Sequence, residues 1–259
     1  MLKVIYQLLS LTQTSIILGF DMILVDSHLH LTDFGPSIDI KMLLTEASEV
    51  GITHFICNST SEDDWQKVHE LARIYPQVIS CFGLHPWFVK NRSCGWYSRL
   101  DELIRTTKCG VGEIGLDRAI SSIDKTAQEE VFRAQLELAR NYNRPVMVHC
   151  VRAWGWLMDI LRSEQALPYG MLIHSYGGPV DLIRPLAKMG AYFSFSGNVL
   201  SENNKKQRQA LLAVPPDRLL IETDAPYMLP PDEFRYKVVL TSEGREYNHP
   251  VNLYVILKG

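Results

Sequence analysis

The sequence predicts an α/β fold, an eight-stranded (β/α)8 barrel. Short apolar runs of strand length recur eight times along the chain, and longer segments with helical periodicity separate them. Strands that alternate with helices form right-handed βαβ units with parallel strands, and eight such units in 259 residues favour closure into a barrel. Since no change in composition divides the chain, we expect one barrel domain over residues 22–259.

Each predicted strand is a short run rich in β-branched or apolar residues. Seven helical segments can be recognised, and Thr126–Tyr142 has the apolar stripe of an amphipathic helix. An open doubly wound sheet is the alternative, but Gly110, Gly112 and Gly115 lie within a strand and its exit rather than in a phosphate-binding turn before a helix. The predicted strands are Ile23–Val25, Thr53–Cys57, Val78–Phe82, Gly110–Ile114, Val146–His149, Met171–His174, Tyr192–Phe195 and Leu219–Glu222.

The two ends of the chain differ from the rest. We treat residues 1–21 as an N-terminal extension, which is either a weak signal-like segment upstream of a functional start at Met22 or an amphipathic helix. In the second case, Leu2–Ile17 is expected to pack over the gap between strands one and eight. The segment is too interrupted by polar residues to span a membrane. At the other end, the eighth helix looks truncated, because the chain stops at Gly259.

Charge and cysteine content limit the functional classes. The net charge of -3 provides no overall attraction for polyanions, so nucleic-acid binding requires a local basic patch. Lys205, Lys206 and Arg208, after strand seven, form one candidate, although a solvated face is the simpler interpretation. Five cysteines without a C-x-x-C pair fit neither a disulfide framework nor a zinc knuckle. We therefore expect free thiols and a reducing, cytoplasmic location. We also expect a monomer.

Histidines and carboxylates lie at the carboxyl ends of five predicted strands, which meet at one mouth of a barrel. His28 and His30 follow strand one, and their i, i+2 spacing directs both imidazoles to the same side. Mixed imidazole and carboxylate ligands suit borderline ions such as Zn²⁺, Mn²⁺ or Ni²⁺ better than a purely oxygen-coordinated ion. The candidate metal ligands are His28, His30, Glu113, His149, His174 and Asp224.

Six ligands exceed the three protein ligands of a typical catalytic zinc ion. We therefore expect two divalent metal ions about 3.5–4 Å apart, with Glu113 as the carboxylate that bridges them. Two such ions lower the pKa of bound water and stabilise negative charge that develops on a phosphoryl or carbonyl oxygen. Asp224 is expected to accept the proton of the attacking water. The sequence thus predicts a metal-dependent hydrolase with Asp224 and Glu113 as catalytic residues.

Seven motifs between Ile23 and Pro230 resemble those of the TatD family of metal-dependent deoxyribonucleases. The resemblance implies an amidohydrolase-like TIM barrel, two divalent metals (Mg²⁺ being a further candidate) and hydrolysis of DNA phosphodiesters, as an exonuclease or endonuclease. It assigns one metal to His28, His30, Glu113 and Asp224, and the other to Glu113, His149 and His174. The motifs are V-D-S-H-L-H-L, G-L-H-P-W, V-G-E-I-G-L-D, V-M-V-H-C, I-H-S-Y-G-G, Y-F-S-F-S-G and I-E-T-D-A-P-Y.

Further polar and aromatic residues are candidates for substrate contacts. His85 in G-L-H-P-W is expected to face the mouth and bind the scissile phosphate, the alternative being a loop histidine packed against Trp87. Trp154 and Trp156 follow strand five and either stack bases or pack within a loop. Arg152 is displaced by one residue from the arginine that is commoner in the family, which leaves substrate choice open. The remaining histidines, interpreted as surface or packing residues, are His54, His69 and His249.

Two other functions are compatible with the same ligands. A metal-activated water attacks carbonyl groups as well as phosphoryl groups, so an aminoacyl ester, lactone or cyclic amide is an alternative substrate. Cyclic-amide hydrolases of the wider superfamily often use a lysine carbamate as the bridge, whereas Glu113 occupies that place here. The other alternative is an inactive metal-binding barrel, which the short C-terminus alone suggests.

Overall fold

A computed structural model describes residues 23–120 and 124–258, and its central feature is an eight-stranded parallel sheet. Each strand is hydrogen-bonded to the one before it in sequence, in the order β1 to β8. This arrangement confirms the predicted (β/α)8 barrel. The strands are β1 (Leu24–Leu29), β2 (Ile52–Asn58), β3 (Val78–Phe82), β4 (Gly110–Asp117), β5 (Val146–Val151), β6 (Met171–Ile173), β7 (Ala191–Phe195) and β8 (Leu219–Ile221).

Amphipathic helices follow the strands and cover the outside of the barrel. The helix after β4 begins behind Asp124, whose side chain accepts a hydrogen bond from the backbone N–H of Ala127 at 3.0 Å. It spans Lys125–Asn141, one residue from the predicted Thr126–Tyr142 at each end. The helices are α1 (Ile40–Glu49), α2 (Glu62–Ile74), α3 (Trp96–Thr106), α4 (Lys125–Asn141), α5 (Trp154–Ser163), α6 (Ile183–Lys188), α7 (Lys205–Ala213) and α8 (Leu253–Lys258).

Strand β4 extends three residues beyond the predicted end at Ile114, to Asp117. Gly115 permits this extension, because a Cβ atom there would lie 1.9 Å from the carbonyl oxygen of His149 on β5. The sequence suggested that the strand ends near Gly115. In the structure, a glycine is required there because the backbones of β4 and β5 approach each other closely. As a result, Asp117 reaches the same mouth as Glu113.

The seam between β8 and β1 differs from the other strand contacts. Within the described residues, no ladder pair joins these two strands. Polar side chains connect them instead: the Ser27 hydroxyl donates to the Ile221 carbonyl oxygen at 2.8 Å, and the Thr223 N–H donates to Asp26 Oδ1 at 2.9 Å. A second hydrogen bond joins the Thr223 hydroxyl to the other Asp26 oxygen. Buried side chains therefore connect these two strands, and main-chain hydrogen bonds connect the segments that follow them.

The barrel interior contains a small apolar cluster that is separate from the larger core between sheet and helices. Side chains from alternate positions of six strands fill it, as expected for a barrel whose interior is packed rather than hollow. The catalytic candidates lie above this layer, at the carboxyl ends of the strands. The buried members of the interior cluster are Ile56, Ile79, Cys81, Met147, Leu172, Tyr192 and Leu220.

Three features concern the chain ends and the cysteines. A two-stranded hairpin, β9 (Val238–Leu240) and β10 (Glu246–Asn248), follows β8 and was not predicted. The predicted N-terminal extension and its Leu2–Ile17 helix lie outside the described residues. No described helix has the length and apolar character needed to cross a bilayer. All five cysteines are free, as expected from their number and spacing.

Candidate metal centre

Four of the predicted ligands form a compact group at the mouth. The Nε2 atoms of His28 and His30 lie 3.2 Å apart, and they lie 3.5 and 3.3 Å from Glu113 Oε2. Asp224 Oδ1 lies 3.8 Å from His28 Nε2 and 3.5 Å from His30 Nε2. Ligands about 2.0–2.1 Å from a tetrahedral ion are separated by roughly 3.3 Å. The four atoms therefore have the spacing of a single coordination shell.

The second carboxylate oxygen of Glu113 faces a different set of imidazoles. Glu113 Oε1 lies 2.7 Å from His174 Nε2, 2.9 Å from His149 Nδ1 and 3.3 Å from His85 Nε2. The two facing nitrogens of His149 and His174 are 3.4 Å apart. One buried carboxylate thus presents each of its oxygens to a separate group of nitrogen atoms, which is the arrangement expected of a bridging ligand.

Backbone hydrogen bonds bring Asp224 beside the two histidines of β1. The Asp224 N–H donates to the His28 carbonyl oxygen at 3.0 Å, and the His30 N–H donates to the Ala225 carbonyl oxygen at 2.7 Å. Asp224 adopts a left-handed conformation with φ 54°, which aspartate tolerates better than most residues. The segment after β8 therefore joins the two ends of the barrel and places the predicted ligand Asp224 beside His28 and His30.

Polar partners on the outer nitrogens orient the histidine rings. His30 Nδ1 donates to the Asn58 carbonyl oxygen at 3.0 Å, which leaves the Nε2 lone pair directed at the cluster. The Asn58 side-chain nitrogen also lies 3.1 Å from His28 Nδ1. His174 Nδ1 lies 3.7 Å from Glu222 Oε1, and the other Glu222 oxygen accepts a hydrogen bond from Ser194. Sequence reasoning missed Asn58 and Glu222, because their roles arise from contacts between strands.

Asp117 supports a fourth histidine, His149, and was also missed by sequence reasoning. Its Oδ2 lies 3.2 Å from His149 Nε2 and accepts a hydrogen bond from Trp87 Nε1 at 2.7 Å. Gln128 fixes the Asp117 backbone, since the Asp117 N–H donates to Gln128 Oε1 and Gln128 Nε2 donates to the Asp117 carbonyl oxygen. Burial raises the pKa of Asp117, but hydrogen bonds from His149 and Trp87 bring it down to about 2. The aspartate of V-G-E-I-G-L-D was the available signal.

The donor set fits divalent cations. Asp224 Oδ1 is buried and has no hydrogen-bond partner among the described residues, yet it faces two imidazole nitrogens. Burial raises the pKa of Asp224 and of Glu113, but the neighbouring histidine rings hold the pKa of both carboxyl groups below the ordinary values. His30 and His28 lie 3.5 and 3.8 Å from Asp224 Oδ1, and His149 and His174 lie within hydrogen-bond distance of Glu113. A buried, ionised oxygen without a hydrogen bond is costly unless a cation compensates it.

The cluster forms the floor of a cavity of about 380 Å³. His85 lines this cavity, and its ring also makes an edge-to-face contact with Trp87, with centroids 4.9 Å apart. His85 therefore both faces the mouth and packs against Trp87, as the two interpretations of the sequence expected. Its contact with a phosphate remains a prediction. Burial lowers the pKa of His85 to about 4, so its imidazole is neutral at pH 7.

The other candidates lie away from the cavity lining. Trp154 packs against Tyr176 with centroids 4.9 Å apart, and Trp156 donates to Glu129 Oε2 at 2.7 Å. Arg152 is exposed and adopts φ 53°. The basic residues Lys205 and Lys206 are exposed at the start of α7, Arg208 is half-buried there, His54 and His69 are half-buried and His249 is buried.

Comparison with known proteins identifies the family. A family model described as TatD related DNase matches residues 25–257. The chain is 30% identical over 210 residues to the uncharacterized metal-dependent hydrolase YabD of Bacillus subtilis, covering 80% of this chain and 82% of YabD. It is 31% identical over 212 residues to the 3'-5' ssDNA/RNA exonuclease TatD of Edwardsiella piscicida, covering 81% and 82% of the two chains.

Solved structures agree with this assignment. The crystal structure of YjjV, a TatD homologue from Escherichia coli, superimposes with a TM-score of 0.81 at 26% identity. The match covers 91% of this chain and 88% of YjjV. The barrel, the cluster of histidines and carboxylates at its mouth and the family match are mutually consistent. The chain belongs to the TatD family of metal-dependent hydrolases.

Proposed function

We propose that this protein is a deoxyribonuclease that hydrolyses phosphodiester bonds with the help of two divalent cations. The observation that carries the proposal is the position of Glu113, whose two oxygens face two separate groups of ligand atoms. Family membership supports it, and the relative from Edwardsiella piscicida that is named a 3'-5' ssDNA/RNA exonuclease points to single strands as the first substrates to test.

The proposed ligand sets follow the two oxygens of Glu113. His28, His30 and Asp224 complete one set with Oε2, and His149 and His174 complete the other with Oε1. When bound, Zn²⁺, Mn²⁺, Ni²⁺ or Mg²⁺ supplies Lewis-acid chemistry, which makes water easier to ionise and stabilises charge on phosphoryl oxygens. The histidine-rich donor set favours the first three ions over Mg²⁺.

The residues around the cavity have complementary roles in the proposed reaction. Asp224 is held ionised by His30 and His28, so its carboxylate can accept the proton of the attacking water. His85 is neutral and buried at the cavity, so its ring can hydrogen-bond a phosphate oxygen without adding a charge. The low exposure of Glu113 and its neighbours excludes bulk water and strengthens these electrostatic contacts.

The test is hydrolysis of end-labelled single-stranded DNA by purified protein that has been stripped with a chelator. We expect no cutting without metal and recovery when one of the four cations is restored. Glu113→Gln, purified in the same way, is the control for contaminating nuclease and should remain inactive. Cutting that persists in chelator, or in the Glu113→Gln sample, would contradict the proposal. Labels at the 5' and 3' ends would show the polarity.

A parallel substrate panel separates the alternatives. RNA, aminoacyl esters and lactones are offered to the same metal-loaded protein. Hydrolysis of a carbonyl ester without cutting of DNA would assign carbonyl chemistry to the site. Metal binding without turnover of any substrate would identify an inactive barrel.

We also propose that the protein acts as a monomer in the cytoplasm. All proposed ligands come from one chain, and the free thiols fit a reducing compartment. Light scattering of the purified protein and fractionation of cells would test the two parts separately.

A further inference from the structure

Trp87 separates the catalytic cavity from a second pocket. Its side chain is 59% exposed, although it is one of the largest apolar groups of the chain. Trp87 lines both the catalytic cavity and an adjoining pocket of about 180 Å³, which lies between the G-L-H-P-W loop and the start of α4. The second pocket is also lined by Lys90, Ile120, Asp124 and Gln128. No role for this pocket follows from the metal centre itself.

The Trp87 ring is held in place despite its exposure. Its Nε1 donates to Asp117 Oδ2 at 2.7 Å, and its backbone N–H donates to His85 Nδ1 at 3.2 Å. The edge-to-face contact with His85 holds the ring from a further side. An exposed indole that is fixed by hydrogen bonds offers a stacking face with little loss of side-chain entropy on binding.

Among the described residues of the second pocket, Asp124 and Gln128 are occupied by hydrogen bonds, and the Lys90 ammonium group can pair with a ligand. Asp124 caps α4 through Ala127, and both side-chain amide atoms of Gln128 bond the backbone of Asp117. Lys90 is exposed, and no ion pair with a described residue involves it. The pocket therefore combines a hydrogen-bonded floor, an aromatic wall and an ammonium group that no described residue pairs with. Single-stranded nucleic acids bind to this combination, through base stacking and phosphate pairing.

We propose that the second pocket is a nucleotide subsite for single-stranded nucleic acid, occupied by the nucleotide next to the scissile phosphate. Trp87 stacks on the base and Lys90 pairs with its phosphate. This inference rests on the proposed phosphodiesterase function, because Trp87 is the wall common to the pocket and the catalytic cavity. The strand then leaves the site past the G-L-H-P-W loop rather than past Trp156.

The test measures binding without turnover. Full-length protein in chelator is titrated into a fluorescently labelled single-stranded octanucleotide, and anisotropy gives Kd. We expect Trp87→Ala to weaken binding about tenfold and Trp87→Phe to recover most of that loss, because phenylalanine keeps a stacking face. Lys90→Gln should weaken binding less and lower the salt dependence by about one counterion.

Trp156→Ala is the matched control. This tryptophan is half-buried, lies under Arg118 with 5.5 Å between guanidinium carbon and ring centroid, and does not line either pocket at Trp87. We expect its Kd to stay within about twofold of the wild type. As a second readout, DNA should quench the intrinsic fluorescence of the wild type more than that of Trp87→Phe. Circular dichroism verifies that each variant is folded.

The outcomes distinguish this inference from the proposed function. Equal binding by the wild type, Trp87→Ala and Trp87→Phe would overturn the subsite, even if the wild type cuts DNA with metal. Loss of binding in Trp156→Ala but not in Trp87→Ala would place the strand at Trp156 and also overturn the subsite. Binding that depends on Trp87 in a protein that never cuts DNA would support a single-strand binding site at this pocket, refute the deoxyribonuclease function and overturn the placement beside a scissile DNA phosphate.

Discussion

The two sides of the barrel hold their proposed metal ligands by different means. On the β4–β5 side, a continuous parallel ladder pairs Ile114–Asp117 with Val148–Val151. His149 is therefore positioned by the main-chain hydrogen bonds of this ladder, and the side chain of Asp117 only orients its imidazole. Glu113 lies in the irregular stretch between Val111 and Ile114, where its N–H donates to the Ser59 carbonyl oxygen at 2.8 Å. Loss of a neighbouring side chain on this side should change the chemistry of the site without opening the barrel.

The β8–β1 side has no strand ladder within the described residues; buried polar side chains join the strands, and two main-chain hydrogen bonds join the segments after them, from Asp224 N–H to the His28 carbonyl oxygen and from His30 N–H to the Ala225 carbonyl oxygen. Asp26 and Thr223 are fully buried and bond to each other, and within the described residues they replace the missing ladder. Asp224 directly follows Thr223, and His28 lies two positions after Asp26. A change at this seam should therefore reduce stability and displace ligands together. We therefore expect folding and function to be separable on the β4–β5 side and linked on the β8–β1 side.

The largest expected effect is on turnover, in Asp224→Asn. This change removes a proposed base and ligand from the seam side, and general-base removal alone slows a reaction by about 10²–10⁴-fold. Asp224 Oδ1 has no hydrogen-bond partner among the described residues, so the urea midpoint should change little. Rates on single-stranded DNA and urea unfolding provide the two measurements. Near-normal turnover would refute the role of Asp224.

Asp117→Asn tests the β4–β5 side through metal affinity. Loss of the carboxylate that orients a metal-binding histidine typically weakens metal binding about 10–100-fold. We expect one of two ions to be lost on dialysis, with the barrel still folded, because the ladder remains. Asp33→Asn is the matched control, since Asp33 lines the cavity but bonds Tyr227 instead of a proposed ligand. Equal weakening of both ions would mean that the two sides are not independent.

Thr223→Val tests the seam through stability. Valine has nearly the same shape as threonine but leaves the buried Asp26 without one hydrogen bond, which should cost about 1–3 kcal/mol of unfolding free energy. Turnover should fall as well, because Asp224 is the next residue. Thr53→Val is the control: its half-buried hydroxyl donates to the Leu24 carbonyl oxygen on the β1–β2 side, where a ladder exists. Equal destabilisation by Thr223→Val and Thr53→Val would show that the β8–β1 seam does not depend on its side chains more than the β1–β2 side does.

The smallest expected effect concerns pH and the contact between α1 and the segment before α8. His249 Nε2 donates to Glu46 Oε2 at 2.8 Å, and His249 Nδ1 accepts from the Val251 N–H at 3.0 Å. Both contacts fit a neutral imidazole, and burial lowers the pKa of His249 to about 4. The unfolded chain binds this proton near pH 6.5, so stability falls as the pH drops from about 7 towards 4.

Removal of His249 should reduce this pH dependence. In His249→Gln, the loss of unfolding free energy between pH 7.5 and pH 5 should be smaller than in the wild type by roughly 1–2 kcal/mol. Urea unfolding at the two pH values is the measurement. The difference between the two proteins isolates His249 from the histidines at the mouth. An equal loss in both would show that His249 is not neutral in the folded protein.

Much of the fold was accessible from local patterns. Apolar runs of strand length located all eight barrel strands, and the stripe in Thr126–Tyr142 located α4. The strand-end rule then grouped six ligands from distant parts of the chain, and the structure brings their facing atoms together. Their roles in metal binding and catalysis remain predictions. The short hairpin β9–β10 was missed, because strands of three residues carry too little periodicity.

The residues that support the histidines were not predicted, because their roles depend on contacts between distant segments. Asp117 lies beyond Gly115, which resembled a strand exit until the backbone of β5 was seen beside it. Asn58 and Glu222 act on histidines of other strands. Glu222 lies at a predicted strand end and within I-E-T-D-A-P-Y, but its role depends on its position beside His174. The exposure of Trp87 likewise follows from the tertiary positions of His85 and Asp117. Contacts between segments, rather than the segments themselves, contain this information.

Hydrogen bonds at Asp117 link the position of the Trp87 ring to the orientation of the His149 imidazole. One oxygen of Asp117 serves both Trp87 and His149. A substitution of Trp87 that changes base preference would therefore also change the basicity of a metal-facing imidazole. Lys90 has no such connection to the cluster in the described residues. Efforts to alter the substrate range of this enzyme should then succeed more readily at Lys90, where recognition can vary without disturbing the reaction.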